Sequence, residues 1–198
     1  MQLLILARHG ESEYSARGLL NGDPTVGVAL TETGEAQART LGAALCETPI
    51  DVCVTTEFQR TRGTAALILE GRAVPLEVWP EMNDPHAGSF EGLPIDDYLV
   101  WARAADSSEA VPGGGQSRQA VVARCAHAYR ALLERPEPTI LVVLHALPIA
   151  YLLGALEGTP PAPRMARVVE YAHPHLVGAA DLRAAVEVLE RWCAAPTW

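Results

Sequence analysis

Leu3-Leu4-Ile5-Leu6-Ala7-Arg8-His9-Gly10-Glu11-Ser12 decides how this chain is read. Its five consecutive apolar residues have the length and composition of a strand buried on both faces. The run then breaks into Arg8, His9 and Gly10, a polar set that a core does not accept. A buried strand that ends in polar groups and a glycine is how an open α/β sheet presents chemistry at its carboxyl edge. Arg8 supplies a planar fork of donors suited to a phosphate or a carboxylate. His9 supplies a ring nitrogen able to attack phosphorus or to carry a proton. Gly10 is expected to let the backbone approach a bound anion.

A second apolar run, Thr139 to Leu144, ends in the same manner at His145. Shorter strands are expected at Val52–Thr55, Leu76–Trp79 and Met165–Tyr171. Helices are expected after Thr31, with Ala36, Leu41, Ala44 and Leu45 on one face, and from a cap at Thr56 to about Leu69. Further helices follow at 95–104, from Ser117 to Leu133, from His145 to Leu156, and from Asp181 to Cys193. Residues 11–29 and 80–94, rich in glycine and proline, read as loops. Alternating strands and helices imply an α/β fold, a three-layer α-β-α sandwich around a mostly parallel sheet of about six strands. Residues 1–198 read as a single domain. In such a sheet His9 and His145 face one crevice.

The formal net charge of −9, without a basic tract, argues against nucleic acid as a partner. No apolar run has the length of a membrane span, and the amino terminus lacks the pattern of a signal peptide, so no membrane association and a cytoplasmic location are expected. All 15 basic residues are arginine. Without lysine there is neither a Schiff-base lysine nor a Walker-type phosphate lysine, and any phosphate site must use Arg, His and backbone N–H groups. Cysteines 46, 53, 125 and 193 form no C-x-x-C pair and are expected as free thiols. His173-Pro174-His175 lacks an accompanying set of ligands at metal-binding spacing, so no metal and no cofactor are expected.

Arg8-His9-Gly10-Glu11-Ser12 resembles the signature of the histidine phosphatase superfamily, the phosphoglycerate mutase-like proteins. Further segments match in order. Leu30-Thr31-x-x-Gly34-x-x-Gln37-Ala38 is similar to the family's first helix, and Thr56-Glu57-Phe58-x-Arg60-x-x-x-Thr64-Ala65 to its second arginine motif. Gly88-Ser89-Phe90-Glu91-Gly92, Gly114-Gly115-Gln116-Ser117 and Val142-Val143-Leu144-His145 complete the set. The similarity runs to about residue 153.

The resemblance implies that His9 accepts the phosphoryl group, that Arg8, Arg60 and His145 surround its oxygens, and that Ser12, Ser15, Asn21, Gly22 and Ala146 lie against phosphate or substrate. Three positions depart from the family pattern: Ser15 stands for Asn, Ala146 for Gly, and Asp84 for the Glu that protonates the leaving oxygen. Asp84 can still donate a proton, with Glu81 and His86 as alternates. Glu91 reads as a residue that organises its loop. The implied activity is hydrolysis of a small phosphomonoester through phospho-His9, without a metal. Phosphoglycerate mutase activity and non-catalytic binding of a phosphoryl ligand are the alternatives, and a homodimer is compatible with the family.

Overall fold

The computed structural model describes residues 1–164 and 168–198. Its sheet begins with β1 (Leu3–Arg8), followed in sequence by β2 (Val52–Thr55), β3 (Leu76–Val78), β4 (Thr139–Leu144) and β5 (Pro174–Gly178), arranged in the order β3-β2-β4-β1-β5. The first four strands are parallel, and β5 runs antiparallel to β1. Helices α1 (Glu13–Ala16), α2 (Glu32–Ala44), α3 (Gln59–Ile68), α4 (Ile95–Ala104), α5 (Arg118–Leu133), α6 (Ala146–Leu156) and α7 (Ala179–Ala194) connect and cover the strands.

The interiors of the central strands β1, β2 and β4 are continuously apolar and buried because helices cover both faces of the sheet there. Leu4 and Leu6 of β1, with Ile140, Val142 and Leu144 of β4, point toward α5, α6 and α7. Ile5 and Ala7, with Cys53, Leu141 and Val143, point toward α2 and α3. Full burial of each such side chain stabilises by about 1.5–3 kcal/mol, so Leu→Ala in β1 would cost about 2–5 kcal/mol. A third, smaller cluster unites Tyr98, Ala102 and Val111 and places α4 beside the carboxyl edge of the sheet.

The expected architecture holds, with differences in detail. The sheet has five strands among the described residues. The strand expected at Met165–Tyr171 falls partly on residues outside the description. The remainder is irregular up to an isolated bridge between Tyr171 and Arg8, and Val168 is 86% exposed, without a layer to cover it. The edge position goes instead to β5, which Ala172, at φ 46°, allows to turn back along β1. Thr56 does not cap α3; Phe58 is at the cap position, and the Thr56 hydroxyl points into the site. The buried face of α2 is Gly34, Ala38 and Leu41, while Ala36 and Ala44 are exposed. Residues 11–29 also contain the short helix α1, capped by Ser12.

All four cysteines are free. Among the described residues no helix is long and apolar enough to cross a membrane.

Candidate active site

Parallel pairing places Arg8 opposite Leu144, so the next residues, His9 and His145, emerge side by side from neighbouring strands. Their ring centroids lie 5.5 Å apart, edge to face. Both rings are buried, and His9 lines the floor of a cavity of about 450 Å³. Arg60 enters from the first turn of α3 and is 4% exposed. Its guanidinium lies over the Phe58 ring, 4.1 Å from the centroid, and Phe58 also meets the His145 ring edge-on at 4.9 Å.

Hydrogen bonds set the tautomer of His9. Nδ1 lies 2.7 Å from the Gly10 carbonyl, which can only accept, so Nδ1 carries the proton. Nε2 therefore holds a lone pair, and Arg60 Nε donates to it across 3.1 Å. Burial, reinforced by the Arg60 and Arg8 charges, holds the His9 pKa well below the ordinary histidine value. The ring is thus neutral, and its unprotonated Nε2, the nitrogen a nucleophile needs, holds the Arg60 donor that an incoming phosphoryl group would displace.

The same reasoning applies to His145. Arg60 Nη2 donates to Nδ1 at 3.2 Å, which leaves the proton on Nε2 to donate to Thr56 Oγ1 at 3.0 Å. The Thr56 hydroxyl is 2.8 Å from Thr61 Oγ1, and Thr61 donates to the Phe58 carbonyl at 2.8 Å. This buried relay fixes the ring. Burial and then the Arg60 charge also keep the His145 pKa well below its usual value.

Arg60 Nη2 meets Asp84 Oδ2 at 3.0 Å, and the same oxygen lies 3.5 Å from His145 Nδ1. Burial pushes the Asp84 carboxyl above the usual carboxylate range, against the pull of Arg60 and Arg8. The side chain is still 28% exposed, toward the cavity. Its loop is pinned from two sides. Asn83 accepts from the Glu57 N–H at 3.0 Å and donates to the Glu57 carboxylate at 2.7 Å. Arg124 donates to the carbonyls of Glu81 and Asn83 at 2.7 and 2.9 Å. Glu91 accepts from Gly22 N–H and Ala87 N–H at 2.8 and 2.7 Å and joins the two loops at the cavity wall.

The structure brings Arg8, His9, Arg60, Asp84 and His145 together, and Ser12, Ser15, Asn21, Gly22 and Ala146 line the same cavity. Of the alternates to Asp84, Glu81 is exposed and His86 accepts from the Gly88 N–H; neither lines the cavity. Asn21 serves Arg60, whose Nη1 donates to its side-chain oxygen and whose Nη2 donates to its carbonyl at 3.0 Å. Ser12 and Ser15 bond each other as a capping box for α1.

Gly10 also meets a steric demand inside the protein. A Cβ there would lie 2.4 Å from the Gly34 carbonyl, and one at Gly34 would lie 2.0 Å from the Glu11 carbonyl. The glycines let α2 approach the loop that follows β1, where Thr31 caps the helix and Gln37 accepts from the Glu11 N–H at 2.9 Å. The contact that leaves no room for a Cβ at either position is with protein backbone.

Sequence reading missed Tyr171, Arg118 and Arg124. The Arg8 guanidinium carbon lies 3.8 Å from the Tyr171 ring centroid, and Arg8 Nη1 donates to the Val169 carbonyl at 2.9 Å. Arg8 Nε is buried without a hydrogen-bond partner among the described residues, a donor poised for an oxyanion. Among the described residues, no group of three or more His, Cys, Asp or Glu is placed to hold a metal ion.

A family model described as the histidine phosphatase superfamily (branch 1) matches residues 4–189. The chain is 40% identical over 130 residues to an adenosylcobalamin/alpha-ribazole phosphatase of Salmonella typhimurium, a match covering 61% of this chain and 62% of that protein. It is 34% identical over 176 residues to a 2,3-bisphosphoglycerate-dependent phosphoglycerate mutase of a Methylobacterium species, covering 79% and 81%. The crystal structure of the alpha-ribazole phosphatase from Shigella flexneri superposes with a TM-score of 0.77 at 28% identity, over 88% of this chain and 89% of that one.

Proposed function

The chain belongs to the histidine phosphatase superfamily, and from that premise we propose that it is a phosphomonoesterase acting on a small molecule through a phosphohistidine at His9. The observation that carries this reading is the His9 ring itself. Its Nδ1 proton is committed to the Gly10 carbonyl, so the Nε2 lone pair stands at the cavity floor, among Arg8, Arg60 and His145.

A phosphoryl group in transit spreads its charge over three equatorial oxygens, and most of its catalysis is positioning and electrostatic stabilisation. The Arg8 fork and the Arg60 guanidinium are the donors for those oxygens. His9 Nε2 attacks phosphorus, the N–P bond forms, and the ester P–O bond breaks. Asp84, when protonated, gives its proton to the leaving alkoxide; burial helps the carboxyl to hold that proton. Asp84, now a carboxylate, then takes a proton from water as the water oxygen attacks phosphorus. The N–P bond breaks, and phosphate and neutral His9 are restored.

Phosphomonoesters are mixed with the protein and quenched in alkali, where phosphohistidine survives. The expected result is a phosphoryl adduct on His9 with release of inorganic phosphate, both lost in His9→Ala. Full activity in His9→Ala refutes the mechanism. The mutase relative motivates a second reading, transfer of the phosphoryl group to a phosphoglycerate instead of water. Isomerisation of 3-phosphoglycerate in the presence of a trace of bisphosphate, without phosphate release, would favour it.

A further inference from the structure

We infer that the cavity contains a second recognition site, centred on Arg118, for an oxyanion (a carboxylate or a second phosphate) carried on the leaving half of the substrate. The inference rests on the phosphomonoesterase reading and narrows its substrate class.

Arg118 opens α5, lines the cavity and is 8% exposed. Its partners are two tyrosines, both neutral: Nε donates to Tyr98 Oη at 3.0 Å, Nη1 to Tyr151 Oη at 2.7 Å, and the guanidinium carbon lies 5.5 Å from the Tyr98 ring centroid. Among the described residues no carboxylate lies within ion-pair distance of it, and Nη2 has no hydrogen-bond partner. A guanidinium cannot discharge itself by losing a proton, so this is a permanent buried cation. Burying a cation without a counter-charge is costly.

Other arginines in this fold are treated differently. Arg130 and Arg135 meet glutamates. Arg72 and Arg124, which lack a carboxylate, donate to backbone carbonyls. The chain has 24 acidic residues against 15 arginines, so counter-charges are not scarce. Arg8 and Arg118 are the two cavity-lining arginines below the rim with no carboxylate partner among the described residues. Arg8 stands at the phosphoryl site, its Nε waiting for an oxygen. The matching state of Arg118 assigns it a second anion. Leu19, Leu20, Ile95 and Leu99 line the same cavity and suit an apolar body joining the two charges. Exposed Arg103 at the rim adds to the positive field that draws in such a dianion against the net charge of the whole chain.

The competing account is that Arg118 only ties α4 to α6 through the two tyrosines. The experiment separates them. For the wild-type protein, kcat/KM is measured on phenyl phosphate, 4-carbamoylphenyl phosphate, 4-carboxyphenyl phosphate, its carboxymethyl homologue and 1,4-phenylene bisphosphate. The expected result is a preference of about tenfold or more for at least one oxyanion-bearing ester over both neutral ones, the size of one good charge-assisted contact. The bisphosphate arm tells a phosphate-accepting site from a carboxylate-accepting one.

In Arg118→Gln the ratio of charged to neutral ester falls toward one, and in Arg118→Lys it falls less. Equal treatment of carboxylate and carboxamide by the wild type overturns the inference. So does an Arg118→Gln protein that loses rate on all esters alike and keeps its ratio, which is the structural role. If Arg118→Gln does not fold, the wild-type and Arg118→Lys ratios decide. Calorimetric binding of the same esters to His9→Ala protein reads the ratio without turnover. Absence of hydrolysis with a binding preference therefore defeats the phosphatase reading alone, and hydrolysis without preference defeats this one alone.

Discussion

Thr56→Val tests the relay that orients His145. The His145 ring is wholly buried, and its Nε2 proton goes to Thr56 Oγ1 at 3.0 Å. Valine keeps the shape of threonine and removes that acceptor. A buried N–H left without a partner costs about 1–3 kcal/mol. For a chain of this size that corresponds to a melting temperature lower by about 2–12 °C. The ring can escape by moving its proton to Nδ1, but Nδ1 faces the Arg60 Nη2 donor at 3.2 Å, and two donors then oppose each other. Arg60 would withdraw, and with it the donor aimed at His9 Nε2. Either stability or the geometry around His9 must suffer. Thermal unfolding followed by circular dichroism measures the first, and nitrogen NMR of the histidine rings reads the tautomer. A Thr56→Val protein that melts within about 0.5 kcal/mol of wild type, with the proton still on His145 Nε2, refutes the reasoning.

Asp84→Asn should slow hydrolysis of alkyl phosphates by about 10²–10⁴-fold. It should slow 4-nitrophenyl phosphate far less, because nitrophenolate leaves without a proton; equal losses on both would remove Asp84 as the acid. Gly34→Ala drives a Cβ to within 2.0 Å of the Glu11 carbonyl, so denaturant unfolding should show a loss of about 1–3 kcal/mol or more. An unchanged midpoint would mean that α2 does not need that approach. Stability should also fall as pH drops below about 6.5, the unfolded histidine value. There the unfolded chain binds protons at positions 9 and 145 that the folded protein, with both pKa values held low, does not. The slope is on the order of 1 kcal/mol per pH unit for each histidine. The raised Asp84 pKa works in the opposite sense, because folding favours its protonated form once pH falls through its folded value. Melting curves between pH 7.5 and 5.5 should be flatter for His9→Gln than for wild type; parallel curves would exclude His9 as a source of the slope.

The strands at Leu3–Arg8 and Thr139–Leu144 and the helices α4, α5 and α6 were legible because their signals are local. They comprise unbroken apolar runs, 3.6-residue spacing and a capping serine at position 117. The motif reading brought Arg8, His9, Arg60, Asp84 and His145 to one cluster for a related reason. In a parallel sheet every strand that ends in chemistry delivers it to the same edge. The edge strand was not legible. Leu176 is 66% exposed, so the stretch at Pro174–Gly178 lacks the apolar density of its neighbours, and only pairing with β1 makes it a strand. Thr56 was misread because a threonine before a helix looks alike whether its hydroxyl caps the helix or holds a histidine 89 residues away.

What the sequence by itself determined, then, is where the chemistry leaves the core: two apolar strands, each ending in a histidine, with Arg8 and Arg60 beside them. Tertiary structure alone decided which nitrogen of each histidine is unprotonated, that a Cβ has no room at Gly10, and that Tyr171 lies over Arg8 while Arg118 stays buried without a counter-charge among the described residues. Those facts depend on contacts between residues far apart in the chain, such as Arg8 with Val169 across 161 positions or Arg118 with Tyr151 across 33. No local periodicity encodes such contacts, because the burial and the partner that set a charge or a tautomer exist only once the layers have closed.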